Sequence, residues 1–322
     1  LEWMFVQAIK KVDPEFDYKP SDRMRAPRRL ALGYELPTEP VAKAPSKEEI
    51  EEIIKDLKRG RGSWRDNWKK LPLIMLSDEK DAINFVKVTM SSRWISNNRR
   101  VQMLEGIGKS SPSDYYVVVE DYLEHEEADV REAAAVAMAR LAEPKASRSL
   151  RKAMSKEEDV RLEGLQLRAL ASCAPKERST SSLVEKAFGD KDEVLRMHAV
   201  VASGLIENRK VTEKVLTKAL GDPAAKVRST AAYVIGTRRI TELIQALVLS
   251  SEAEADAEVK GYMTAAKELC EDKESKAFAG FLETVVGDKK SVYKPDEDWP
   301  FGPGPRNGGG DDEDPGKKKK KG

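Results

Sequence analysis

The sequence predicts an all-α protein, a right-handed α-solenoid of about six two-helix repeats with a helical N-terminal cap. The first observation is a short phrase, an apolar residue followed by a basic one, that recurs about every 32 residues. The basic residues of successive copies are Arg131, Arg161, Arg196, Arg228 and Lys260, preceded by a weaker copy around Arg100-Val101. From Arg100 onwards the spacings are 31, 30, 35, 32 and 32. A fixed period of this length indicates stacked helical units, each covering the apolar face of its neighbour.

The residues after each phrase predict the first helix of a unit, with a narrow stripe of small side chains. In one copy, Ala134, Ala135 and Ala137 follow Arg131 at positions +3, +4 and +6. Position +8 is small in five copies, namely Gly108, Ala139, Ala169, Gly204 and Gly236. Small side chains allow neighbouring helices to approach closely. An acid just before several of the phrases suits a helix start, where a carboxylate accepts hydrogen bonds from free backbone N–H groups.

A second helix is predicted in each unit from larger apolar residues at i, i+3, i+4 and i+7. Leu183, Val184, Ala187 and Phe188 show this spacing. Gly-Asp pairs such as those at 189–190, 221–222 and 287–288 then supply a helix stop. The recurring unit is therefore a helix, a short turn, a second helix and a stop.

The pattern Asp-x-x-Val-Arg-x-x-Ala-Ala-x-Ala-Leu-Gly, followed by an amphipathic second helix, resembles a HEAT repeat. It is similar to the short HEAT-like repeats also found in bilin-lyase-type proteins. The resemblance covers residues 96–290 and implies the fold, but such repeats serve many unrelated functions. The unit at Arg161 departs from the pattern, because Arg168 stands where a Leu is expected.

Four regions are expected along the chain. Residues 1–46 form an irregular, Pro-rich and basic N-terminal segment, and residues 47–95 form the helical cap. In the cap, Ser46 followed by Glu49 predicts a capping box, and a further helix is expected at about 78–94. The repeat array covers 96–290. Residues 291–322 are expected to be a disordered tail, rich in Gly and Pro, then acidic, then poly-Lys.

The composition argues against an enzyme. The chain of 322 residues contains two histidines, His125 and His198, and two cysteines, Cys173 and Cys270. The cysteines are expected to be buried free thiols, and His198, within a first helix, to have a helix-surface or packed role rather than a catalytic one. We find no catalytic or metal-ligand set, no phosphate-binding loop and no need for a cofactor. No apolar run reaches the roughly 18 residues that a membrane span needs.

The array favours a protein partner over a polyanion. Residues 96–290 contain 31 Lys and Arg and 33 Asp and Glu, a net charge of −2, and the second helices carry both signs. We therefore expect a non-enzymatic scaffold or adaptor that binds a protein partner, of unknown identity, on the face of its second helices. The residues expected on that face are Arg148, Arg151, Lys152, Lys186, Lys214 and Lys218.

The alternative function is association with nucleic acid through the basic, Trp-containing segment 58–70. Cations for phosphates and indoles for base stacking are what single-strand binding uses. The residues that would make these contacts are Lys58, Arg59, Arg61, Trp64, Arg65, Trp68, Lys69 and Lys70. In the competing interpretation, Trp64, Trp68 and Trp94 plug the open end of the solenoid. A second alternative, a bilin-lyase-like or other small-molecule HEAT enzyme, depends on the shared repeats alone.

The compartment is not determined by the sequence. A cytoplasmic location is favoured, whereas secretion stays open because the chain starts at Leu1 and its true N-terminus, with any signal, can lie upstream. The poly-Lys tail has two interpretations, a solubilising tail or a contact for an anionic surface.

Overall fold

The computed structural model describes residues 45–59, 70–93, 95–273 and 275–289, which contain helices and turns and no β-strand. Residues 1–44 of the predicted irregular segment and the whole of the predicted tail lie outside the described residues. No helix of the described part of the chain is long and apolar enough to cross a membrane.

The cap comprises helices α1 (Lys47–Arg59), α2 (Leu71–Met75) and α3 (Lys80–Ser91). The predicted capping box is confirmed: Ser46 N–H donates to Glu49 Oε2 at 2.7 Å, and Glu49 N–H donates to Ser46 Oγ at 3.2 Å. The cap packs on the first unit as expected. Lys87 of α3 donates from Nζ to the carbonyl of Val117 at 2.8 Å, and the Tyr115 hydroxyl donates to the carbonyl of Ile74 at 3.0 Å.

Two kinds of helix alternate after the cap. The first helices are α4 (Asn97–Ser110), α6 (Ala128–Leu141), α8 (Val160–Cys173), α10 (Glu193–Ser203), α12 (Ala225–Thr237) and α14 (Ala257–Cys270). The second helices are α5 (Tyr116–Val119, flanked by 3-10 turns), α7 (Ser147–Met154), α9 (Arg178–Phe188), α11 (Arg209–Ala219) and α13 (Ile244–Ala253). Each first helix packs directly against the next first helix, whereas the second helices contact one another much less.

The predicted stripe of small residues lies where consecutive first helices meet. A Cβ atom added to Gly108 would lie 2.8 Å from Cα of Ala137 on α6, and one added to Gly236 would lie 2.8 Å from Cα of Ala266 on α14. These distances are far below van der Waals contact, so position +8 must be small for the backbones to approach this closely. The expectation drawn from the +8 position is confirmed.

In three units, the basic residue of the recurring phrase joins its unit to the next. Arg196 donates from Nε and Nη2 to the carboxylate of Asp222, both at 2.9 Å, and from Nη1 to the carbonyls of Asp190 and Lys191. Arg131 and Arg228 repeat this geometry, each with an acid 26 residues later. The recurrence therefore has a physical cause, since one guanidinium satisfies two carbonyls and one nearly buried carboxylate.

The C-terminal end of the described chain lies across the first helices. We call residues Phe281–Lys289 the strap; it contains a π-helical turn, Leu282–Val286. At its start, the ring of Phe281 stacks on Tyr233 of α12 with centroids 4.7 Å apart. At its end, Nζ of Lys289 lies 2.8 Å from carboxylate oxygens of Asp129 and Glu132 on α6. The strap thus contacts helices separated from it by more than 100 residues, which the period of the sequence did not predict.

Candidate protein-binding surface and strap site

Three consecutive second helices, α7, α9 and α11, form what we call the basic face. They carry two acids, Glu185 and Glu213, against nine basic residues: Arg148, Arg151, Lys152, Arg178, Lys186, Arg209, Lys210, Lys214 and Lys218. The next second helix, α13, has one acid, Glu252, and no basic residue. The second helices carry both signs, as expected, but on these three helices the mixture is weighted towards basic residues, and the balancing acids lie mostly in the turns before the first helices.

Three of the six predicted partner-binding residues are ion-paired within the chain. Lys152 Nζ lies 2.8 Å from Glu124, and Lys214 Nζ lies 2.7 Å from Glu185 on the neighbouring second helix. Arg151 pairs with Glu177. Hydrogen bonds from lysines, Lys152 first, lower the pKa of the Glu124 carboxyl. These pairs cross from one unit to the next, so the residues contribute to packing as well as to surface charge.

The other three predicted residues, Arg148, Lys186 and Lys218, are exposed and have no ion-pair partner among the described residues. Arg178 and Lys210 share these properties, and sequence reasoning did not single them out. Both lie in the first turn of a second helix, a position that the search for apolar spacing passed over. The basic face therefore presents five unpaired cations over three adjacent units.

The predicted nucleic-acid segment is described only at its two ends. Lys58 and Arg59 are exposed at the end of α1, and Nζ of Lys70 lies 3.7 Å from Asp56. Arg61, Trp64, Arg65, Trp68 and Lys69 lie outside the described residues, as does Trp94. A groove of about 630 Å³ beside these ends is lined by Glu49, Glu52 and Asp56 as well as Lys70. Among the described residues that line this groove, three carboxylates to one ammonium are unfavourable for a phosphate backbone.

The thiols and histidines occupy structural positions. Cys173 and Cys270 are buried thiols outside any disulfide, as predicted, and their Sγ atoms lie 3.5 and 3.6 Å from the carbonyls of Met138 and Ile235. Within the described ranges, no group of His, Cys, Asp and Glu side chains has the arrangement of a metal site. His125 Nδ1 accepts a hydrogen bond from the N–H of Glu127 at 3.1 Å.

A buried polar cluster, which we call the strap site, forms where the strap crosses α8. Arg168, whose side chain is 0% exposed, donates from Nη1 and Nη2 to the two carboxylate oxygens of Asp288 at 2.7 and 2.8 Å. Arg161 lies about two turns earlier on the same helix. It donates to Glu132 Oε2 at 2.8 Å and to the carbonyl of Gly287 at 3.2 Å. Arg168 is the residue that breaks the repeat pattern, so the departure in the sequence marks the residue that holds the strap.

His198 of α10 completes this cluster. Its ring lies over Gly164 of α8, where an added Cβ would be 2.4 Å from Cδ2. Arg168 Nη1 lies 3.5 Å from His198 Nδ1. Because a guanidinium only donates, this contact assigns the histidine proton to Nε2, which is buried without a hydrogen-bond partner among the described residues. Of the two roles expected for His198, at the helix surface or packed, the structure shows the packed one.

The electrostatics of the strap site favour an ionised Asp288 and a neutral His198. Burial acts to raise the pKa of the Asp288 carboxyl, but the charge and hydrogen bonds of Arg168 outweigh burial and hold this pKa below its ordinary value. Burial, together with the charge of Arg168, lowers the pKa of His198 to about 3. The cluster is thus a carboxylate held by the guanidinium of Arg168, with the positive charge of Arg161 nearby, beside a neutral imidazole.

Comparisons with known proteins identify no relative by sequence: no family model matches the chain, and no curated protein matches it. Crystal structures of two engineered proteins, both targets of the Northeast Structural Genomics Consortium, are similar to it. One has 18% identity and a TM-score of 0.32, and the match covers 70% of this chain and 97% of the other. The second has 19% identity and a TM-score of 0.36, with coverage of 81% and 77%.

Proposed function

We propose that this protein is a non-enzymatic scaffold or adaptor that binds an acidic segment of a partner protein on its basic face. In this proposal the alternating helices form a right-handed α-solenoid of about six HEAT-like repeats, which presents the second helices on one surface. The observation that carries the proposal is the segregation of charge: nine basic and two acidic residues on α7, α9 and α11, within a chain whose net charge is +1.

A protein ligand suits the basic face better than a nucleic acid does. Acids are interleaved with its cations, since Glu177, Glu185 and Glu124 pair with basic residues of the same surface. A continuous phosphate backbone would meet these carboxylates as well as the lysines. A polypeptide can place acids against the unpaired cations and polar or basic side chains against the carboxylates.

The test compares two triple charge reversals in the full chain. The first replaces Arg148, Lys186 and Lys218 with Glu and changes the unpaired cations of the basic face. The matched control replaces Lys191, Lys226 and Lys260 with Glu; these cations are also exposed, but lie at the starts of first helices. Both variants change the net charge by the same amount, so a loss specific to the first locates binding on the basic face.

The measurement is affinity purification of each tagged chain from its native cell extract, divided into nuclease-treated and untreated halves. Proteins captured by the wild-type chain and by the control in both halves, but lost at least ~10-fold with the basic-face variant, are the expected result. Equal capture by both variants would refute the basic face as the binding surface. Partners lost on nuclease treatment would instead favour the nucleic-acid alternative, in which Lys58 and Arg59 at the exposed end of α1 continue into the segment 60–70.

A further inference from the structure

The strap site has the geometry of a carboxylate receptor. The guanidinium of Arg168 binds both oxygens of Asp288 at 2.7 and 2.8 Å, the end-on arrangement in which its planar donors match a carboxylate. Arg161 adds a second positive charge and a hydrogen bond to the carbonyl that precedes Asp288. The apolar side chain expected at position 168 would fill the space between the helices without binding a carboxylate. Packing alone therefore does not require the two-point contact between Arg168 and Asp288.

The strap is attached to the helices through its side chains and one backbone carbonyl, that of Gly287, which accepts from Arg161. Its backbone-to-backbone hydrogen bonds are local, such as Asp288 N–H to the carbonyl of Leu282 at 2.9 Å. Phe281, Leu282 and Val286 are buried, whereas Glu283 and Thr284 point to solvent. Apolar anchors on one side, an exposed face on the other and one charged contact form the organisation by which a short peptide docks in a groove.

The receptor residues belong to the helices and have partners of their own. Arg161 is held by Glu132, which is 7% exposed. His198 is fixed over Gly164, where no side chain larger than hydrogen fits. The position of Arg161 therefore does not depend on Asp288, Arg168 also lies 3.5 Å from Nδ1 of His198, and 20% of the Asp288 side chain is exposed to solvent.

We propose that Arg168, assisted by Arg161, is a carboxylate-binding site on the first helices that takes an aspartate of a peptide ligand in exchange for Asp288. The ligand has the chemistry of the strap, an apolar side chain followed two residues later by an aspartate, as Val286 is followed by Asp288. The strap then competes with this ligand within the same chain. This site lies on the first helices and is independent of the basic face.

The first experiment is a rescue by a small carboxylate in the full chain with Asp288→Ala, which leaves Arg168 without the carboxylate of the strap. Thermal unfolding is measured in sodium acetate and in sodium chloride at equal ionic strength. Acetate is expected to raise the Tm of Asp288→Ala by about 3–6 °C at about ten times its dissociation constant, with a saturating dependence on concentration. The matched control is Asp121→Ala, which removes a half-exposed partner of Lys87; acetate and chloride should act alike on it. Equal effects of the two salts on Asp288→Ala would overturn the proposal.

The second experiment uses the wild-type chain, so it tests the proposal even where Asp288→Ala fails to fold. An excess of the capped peptide Phe-Leu-Glu-Thr-Val-Val-Gly-Asp-Lys, which copies the strap, is added, and hydrogen exchange of the backbone amides at 282–289 of the protein is followed. Displacement of the strap predicts several-fold faster exchange there. A peptide with Asn in place of Asp should leave the hydrogen-exchange rate unchanged. Equal rates with the two peptides would overturn the proposal that a ligand carboxylate replaces Asp288.

Discussion

Gly164→Ala is expected to destabilise the protein, although alanine favours a helix. In an unobstructed helix, Ala in place of Gly stabilises by about 1 kcal/mol. At Gly164 the new Cβ would lie 2.4, 2.5 and 2.6 Å from Cδ2, Cγ and Cβ of His198, whose side chain is fully buried. The ring must move by roughly an ångström in a packed interior, which costs about 1–3 kcal/mol, and it also disturbs Arg168. The difference between this cost and the helix gain is a net loss of up to about 2 kcal/mol.

Gly261→Ala is the matched control, because Gly261 lies in the middle of α14 with no atom within 4 Å of an added Cβ. It should stabilise the protein by about 1 kcal/mol. Urea unfolding followed by circular dichroism measures both variants, and the two midpoints should move in opposite directions. In a double-mutant cycle, adding His198→Ala should remove most of the cost of Gly164→Ala. The reasoning is refuted where Gly164→Ala stabilises the protein as much as Gly261→Ala does.

Three further predictions concern the arginine ties, the buried histidine and the thiols. Arg196→Ala should lower the free energy of unfolding by about 3 kcal/mol, because it leaves a nearly buried carboxylate unpaired; Lys260→Ala, at the equivalent but exposed position, should change it by less than about 0.5 kcal/mol, and similar losses in urea titrations would contradict this account. The pKa of His198 is about 3 in the folded chain against 6.5 unfolded, so its contribution to stability is complete above pH 6.5 and is lost at about 1.4 kcal/mol per unit as the pH falls towards 3. Urea titrations at pH 7 and pH 5 should show this slope and lose it in His198→Gln; an unchanged slope would rule out the buried neutral histidine. Cys173 and Cys270 should react with a thiol reagent at least ~100-fold slower in the folded chain than in urea, because both are buried; fast reaction of either in the native protein would contradict that burial.

The units could be predicted because their causes are local and recur. Ser46 and Glu49 form a capping box from residues three apart, and Gly108 and Gly236 occupy the same position of two first helices against the backbone of the next. Each contact repeats at about the same separation along the chain. A period in the sequence therefore carries the information for the packing of neighbouring units.

The charge of the candidate surface could be predicted only in part. The six predicted residues lie on second helices, but whether a cation is paired depends on the neighbouring unit. Lys214 meets Glu185 from 29 residues earlier, whereas Lys218, four residues along the same helix, has no ion-pair partner among the described residues. Composition could not show which of these two lysines is paired, because the distance between neighbouring second helices is set by tertiary packing.

The sequence by itself determined the helical units, their caps, the small residues between them and the burial of both cysteines, because periodicity and local hydrogen bonding decide these features. Only the tertiary structure decided that the strap returns over the first helices and that Asp288 meets Arg168, 120 residues earlier. No local pattern encodes a contact of that separation. The sequence did indicate one partner of this contact, because Arg168 stands where packing alone would favour leucine. A buried arginine needs a carboxylate, and the fold determines which carboxylate reaches it.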